Sequence, residues 1–227
     1  MKKNLFIGFF IVSIAGVFTG ILLQVKWLDY ICKPLIIISI GGYFLINSKN
    51  IDKNVVRFAI FAFLFSLLGD SFLMFVDRGM SFFILGLASF LIAQISYIFL
   101  FRQTIKIAGG EPFLKKNFIY VIGYIIYGAS IYFLLFNHLD VVMKIAVFVY
   151  MLALLNMSLI ALNRFSTVSS RSFSFVFFGS VFFVISDSII AIDKFLVSVP
   201  NERLLIMATY IAAQFLIMKG LLKQFEQ

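Results

Sequence analysis

With 227 residues, 63% of them hydrophobic and only 13% charged, the chain carries more apolar surface than a soluble domain of its size can bury, so its solvent is lipid. Thirty-one phenylalanines point the same way. A formal net charge of +9 would suggest nucleic acid in a soluble protein, but here the basic residues sit in short connections between apolar runs, where they orient a membrane protein; no nucleic-acid partner is expected.

Apolar runs fall near residues 4–23, 30–47, 55–76, 80–101, 118–136, 141–162, 173–193 and 203–222. Each has the length, about 18–22 residues, that crosses a hydrocarbon core as a helix. The first run follows Lys2 and Lys3, as a signal peptide would. It is long and lacks a small-x-small cleavage site, so it reads as a retained first helix. Between the runs stand turn and polar residues such as Asn47-Ser48-Lys49-Asn50, Asp77-Arg78-Gly79 and Gly109-Gly110-Glu111-Pro112. Pro200 is placed to open the last helix. No linker or shift in composition divides the chain. The expected fold is therefore an all-α integral membrane protein of eight transmembrane helices, one domain over 1–227. The single cysteine, Cys32, excludes an internal disulfide and a thiolate zinc cluster, and the single histidine, His138, reads as a solvated loop residue.

Lys and Arg set the orientation. If the N-terminus is cytoplasmic, 13 basic residues lie inside, Arg164 and Arg171 among them, and 5 lie outside, with Lys33 within a helix. That bias places both termini in the cytoplasm. A parallel four-plus-four internal repeat is also suggested: Gly69-Asp70-Ser71 resembles Ser186-Asp187-Ser188, and Ala93-Gln94 resembles Ala213-Gln214.

In a bilayer the costly residues are the informative ones. Asp70 and Asp187 lie well inside spans three and seven, and Lys33 lies about one and a half turns into span two, beside Pro34. Asp77 and Asp193 fall at outer helix ends, at the interface. Counting rise from Arg57 and Arg171 puts both buried aspartates in the outer half, about 20 and 24 Å up, with Lys33 in the same half. Tyr150 and Tyr210 fall near the middle of spans six and eight. These five side chains are expected to converge on one polar pocket. Ser66 and Asp70, Tyr210 and Gln214, and Gln94 and Tyr97 pair along their helices at i, i+4 or i, i+3. Two carboxyl groups in a desolvated pocket suit general acid–base chemistry, since one can donate a proton while the other accepts one. Lys33 suits a phosphate, or an ion pair with an aspartate. A purely structural role, the aspartates holding Ser and Tyr networks between helices, is the alternative.

Taken together, Lys33-Pro34-Leu35, the run Ser66 to Leu73, Gly86-x-x-x-Phe90 with Gln94-x-x-Tyr97, Tyr150, the run Gly179 to Ser188, Asp193-Lys194-Phe195 and Ala208-Thr209-Tyr210-x-Ala212-Ala213-Gln214 resemble the YhhN-like family of membrane lysoplasmalogenases. The matches cover spans two to eight. The resemblance implies an eight-helix enzyme of a bacterial inner membrane, or of the endoplasmic reticulum in a eukaryote. Its substrate would be a lysophospholipid, taken from the membrane lipid around it. It would hydrolyse the vinyl ether bond of lysoplasmalogens to a fatty aldehyde and a glycerophospho-choline or -ethanolamine. Asp70 and Asp187 would be catalytic, and Lys33, Gln94, Tyr97, Tyr150, Ser186, Tyr210 and Gln214 would bind substrate. The scheme requires no metal and no other cofactor. One departure stands out: the family commonly has histidine where this chain has Gln94, and glutamine orients water or phosphate without shuttling a proton at neutral pH. Two other readings use the same residues. The aspartates of a transporter would bind protons or cations, and a catalytically silent relative would only bind lipid.

Overall fold

The computed structural model describes residues Lys2 to Glu226, with side chains from Lys3 onward. Every long element is helical: α1 (Lys2–Leu22), α2 (Lys26–Asn47), α3 (Lys53–Leu73), α4 (Met80–Ala108), α5 (Ile119–Phe136), α6 (Val141–Leu162), α7 (Ser170–Phe195) and α8 (Glu202–Phe225). All eight are long and apolar enough to span a membrane. Inter-helix packing divides the chain within α4, into one unit ending at Leu100 and another over Phe101–Glu226.

The ends of the helices have local causes. Asp52 caps α3, its carboxylate accepting the Asn54 and Val55 amides at 3.0 and 3.2 Å. Asp140 does the same for α6 at Met143, 2.9 Å away. Helix α4 runs two turns past the expected end because nothing breaks it before Gly109, whose φ of 71° stops it. α2 begins at Lys26, a turn earlier than its hydropathy suggests, so Lys33 lies about two turns in. Pro200 precedes α8 rather than opening it: Asn201, at φ 56°, makes the reversal, and Glu202 is the first helical residue.

In the first unit, small residues let the helices approach. A Cβ at Gly16 of α1 would collide with the Cys32 thiol of α2, and one at Gly69 of α3 would come within 2.6 Å of the Phe90 ring of α4. In the second unit, α7 and α8 form an antiparallel zipper. Ser172, Val176, Gly179 and Phe183 of α7 meet Gly220, Ile217, Ala213 and Tyr210 of α8, and all but Tyr210 among the large side chains are fully buried. The Ser172 hydroxyl donates to the Gly220 carbonyl at 2.7 Å. Without a hydrophobic driving force between helices in lipid, such close backbone approach and interhelical hydrogen bonding hold the pair. A Cβ at Gly179 would lie 2.9 Å from the Ala213 carbonyl oxygen and 3.0 Å from the Ile217 nitrogen, both backbone atoms that cannot step aside. Gly179→Ala is therefore expected to cost about 1–3 kcal/mol, read as a lower thermal midpoint in detergent. Gly123→Ala, which would meet nothing within 4 Å, is the control that should not move it.

Candidate active site

The zipper of α7 and α8 leads to Asp187. Above the Phe183–Tyr210 ring contact, with centroids 5.7 Å apart, the Ser186 hydroxyl donates to the Ile206 carbonyl at 3.2 Å. These contacts fix the rotation of α7 and leave the next residue, Asp187, turned toward α6. There the Tyr150 hydroxyl donates to Asp187 Oδ2 at 2.6 Å, a short hydrogen bond. Asp187 is only 9% exposed. On α8 the Gln214 amide donates to the Tyr210 hydroxyl at 3.3 Å, and both side chains are buried. The second unit thus brings together Tyr150 with Asp187 and Tyr210 with Gln214, and ties Ser186 to the α8 backbone.

Asp70 is a buried carboxyl group within a span of the first unit. It too is 9% exposed, and Ser66, one turn below it on the same face, is fully buried. Phe90 of α4 is seated on the bare backbone of Gly69, the residue before Asp70. Gln94 and Tyr97 are both fully buried on one face of α4, and the Tyr97 ring meets Phe63 edge-on at 6.4 Å. Lys33 is half-buried, one residue before Pro34 in α2. Asp70 follows Lys53, the first residue of α3, by 17 positions, and Asp187 follows Ser170, the first residue of α7, by the same 17. Each carboxylate is thus about 26 Å along its helix. The outer aspartates differ in kind. Asp77 is exposed and pairs with Lys26 at 3.2 Å, and Asp193 accepts the Val199 amide at 3.0 Å across the α7–α8 turn.

Two polar clusters escaped the sequence reading. The hydroxyls of Tyr124, Ser158 and Ser180 form a chain from α5 through α6 to α7, with steps of 2.9 and 3.0 Å. Serines in spans so often bond their own helix backbone that the pattern carries no signal in one dimension. The larger omission is Arg164. Counted from sequence as a loop charge that orients the protein, it is instead completely buried just beyond α6. Its Nε donates to Thr104 Oγ1 at 3.0 Å, and its Nη2 donates to Ser172 Oγ at 2.9 Å and Gln224 Oε1 at 2.7 Å. Gln224 in turn donates to the Thr104 carbonyl at 3.0 Å. One side chain so joins the end of α4, the α6–α7 turn, α7 and α8. Nη1 finds no acceptor among the described residues. Burial pulls the guanidinium down to about 9, so Arg164 stays charged at neutral pH.

Among the described residues, no group of three or more His, Cys, Asp or Glu side chains is placed to hold a metal ion. Asp70 and Asp187 are buried carboxyl groups on the spans α3 and α7, with buried tyrosines and amides on α4 and α8 and Tyr150 on α6. The chain is 28% identical over 209 residues to lysoplasmalogenase TMEM86A of Bos taurus, with 85% of this chain and 75% of that protein covered. It is 28% identical over the same extent to lysoplasmalogenase TMEM86A of Homo sapiens. No solved structure matches it significantly. The family model described as the YhhN family matches residues 28–221, a stretch that runs from the first turn of α2 into the last turns of α8 and includes Asp70, Asp187 and their neighbours, and the chain belongs to that family.

Proposed function

We propose that the chain is a membrane hydrolase that cleaves the vinyl ether bond of lysoplasmalogens, releasing a fatty aldehyde and a glycerophospho-base. The observation that carries the reading is the Asp187 carboxylate, buried within a span and held by Tyr150 at 2.6 Å. An ionisable group at that depth is too costly to keep for packing alone. Relatives named lysoplasmalogenase, alike over most of the chain, supply the reaction class.

The chemistry requires one proton donor and one acceptor. A protonated carboxyl delivers its proton to the alkene carbon distal to the ether oxygen, and the adjacent carbon becomes an oxocarbenium ion. A carboxylate stabilises that cation and takes a proton from the water that attacks it, much as paired carboxyl groups act in glycoside hydrolysis. The hemiacetal so formed collapses: its hydroxyl proton leaves, the C–O bond to glycerol breaks, and the glycerol oxygen is protonated. One water is consumed, and no electron leaves or enters. Asp70 and Asp187 share the two roles, one as proton donor and the other as acceptor, and Tyr150 positions the Asp187 carboxyl at 2.6 Å. Lys33, with the amides of Gln94 and Gln214, the hydroxyls of Tyr97 and Tyr210, and Ser186, serves the glycerophospho head and the attacking water. The chain acts as one membrane domain, both termini cytoplasmic, in two halves that place their aspartates at matching positions.

Tyr150→Phe tests the role of the short hydrogen bond. Aldehyde release should fall by about ten- to a hundredfold, and its pH profile should move, because the carboxyl loses the phenol that orients it. A variant with an unchanged profile would remove Tyr150 from the mechanism. The reading itself is tested by incubating purified protein with a lysoplasmalogen and measuring aldehyde and glycerophospho-base in equal amounts. Substrate-driven proton uptake into liposomes with no product formed would favour transport instead.

A further inference from the structure

Where α2 passes to α3, a cleft of about 390 Å³ opens among Lys49, Lys53 and Arg57, with Ile60 also lining it. Lys53 and Arg57 stand one turn apart on the same face of α3. All three cations are exposed, and none forms an ion pair among the described residues. The neighbouring carboxylate, Asp52, is directed to the amides it caps. The Arg57 guanidinium lies over the Phe61 ring, 5.9 Å from its centroid, which holds it along the α3 wall of the cleft. Ile60 also lines a second space, of about 190 Å³, wholly apolar, that continues between α2 and α3 past Gly41 and Leu64 to Leu67. A cationic mouth and an apolar channel are thus joined at one residue.

We propose that this groove is a binding site for an anionic membrane phospholipid, its phosphate among Lys49, Lys53 and Arg57 and one acyl chain along Gly41 and Leu64. Three features select that occupant. The mouth lies at the end of two spans, where head groups lie, and the channel descends into the depth of the hydrocarbon. From Lys53 to Leu67 the groove covers 14 residues of α3. That is about 21 Å, the depth of one leaflet with its head groups. Three unpaired cations favour a head of net negative charge over one that brings its own ammonium. Gly41 lines the channel with no side chain of its own: a Cβ there would already touch Phe63 at 3.7 Å, so a side chain as large as leucine would have to extend into the lined space. The site involves neither Asp70 nor Asp187, and it stands whether or not the proposed hydrolysis does.

The test uses the full chain purified in detergent and stripped of lipid. Lipid retention is read by native mass spectrometry, and stabilisation by the thermal midpoint, with phosphatidylglycerol, phosphatidylcholine or inorganic phosphate added. Phosphatidylglycerol should be retained in preference to phosphatidylcholine and should raise the midpoint. Each cation removed among Lys49→Gln, Lys53→Gln and Arg57→Gln should weaken retention about fivefold. Gly41→Leu, which blocks the channel and leaves the cations in place, should weaken it as well, and this variant decides the matter if the triple variant does not fold. Equal retention of the two lipids by the wild-type chain, or retention unchanged in both the triple variant and Gly41→Leu, would overturn the proposal. So would a rise in midpoint with inorganic phosphate as large as that with phosphatidylglycerol, since the site would then hold a free anion.

Discussion

Asp187→Asn is expected to lower fatty-aldehyde release from a lysoplasmalogen by about 10²- to 10⁴-fold, the range that a positioned general acid or base contributes. Asparagine preserves the size of the side chain, and its carbonyl oxygen can still accept the Tyr150 hydroxyl that now sits 2.6 Å from Oδ2. What it loses is the ionisable carboxyl that, in the proposed mechanism, either donates the proton or stabilises the cation and takes a proton from water. The loss should therefore fall on kcat and leave KM nearly unchanged. If Asp187 only braces α6 against α7, the outcome is different: the variant would be less stable, and the protein that stays folded would turn over at close to the wild-type rate. Thermal midpoint and kcat measured on the same preparation separate the two. Asp70→Asn should show the same pattern from the other unit.

The second large effect is on stability. Arg164→Ala should cost about 3–5 kcal/mol, measured as a reduced midpoint in detergent and as accelerated aggregation. The Gln224 Oε1 atom would lose its donor, Thr104 and Ser172 would each lose one, and the volume of a completely buried arginine would be left empty beside the ring of Phe101, 5.8 Å from the guanidinium carbon. Arg164→Lys keeps the charge but replaces a planar fork by a point donor, so it should recover only part of the loss. Arg164→Met separates hydrogen bonding from packing. It restores most of the volume and removes the buried charge, so a midpoint near wild type would mean that the network contributes little beyond filling space.

These two residues also mark how far the sequence could be read. The burial of Asp187 within a span was legible because lipid makes an ionisable side chain within an apolar run conspicuous. The eight spans were legible for the same reason, hydropathy over lengths that only a bilayer explains. Arg164 was not, because a basic residue between two runs looks alike whether it faces water or is folded under by the turn that carries it. Its partners Thr104 and Gln224 are each 60 positions away in sequence, beyond the reach of any local pattern. The end of α4 was missed through the same ambiguity. The fourth apolar run ends near residue 101, where basic residues begin, yet the helix continues to Ala108 and buries Thr104 and Ile105. The lipid groove had half a signal: the cations were counted, but only as a sum that orients the chain, and their convergence on Ile60 depends on how α3 turns back along α2.

Hydrolysis of a lysoplasmalogen in deuterium oxide tests the proposed chemistry most directly. Protonation at carbon leaves a permanent record, so aldehyde collected at short times from the wild-type chain should carry one deuterium on the carbon next to the carbonyl, and Asp187→Asn should yield almost none of that product. Aldehyde without the label, equal amounts of labelled aldehyde from both proteins, or no aldehyde from the wild-type chain would contradict paired-carboxylate cleavage of the vinyl ether.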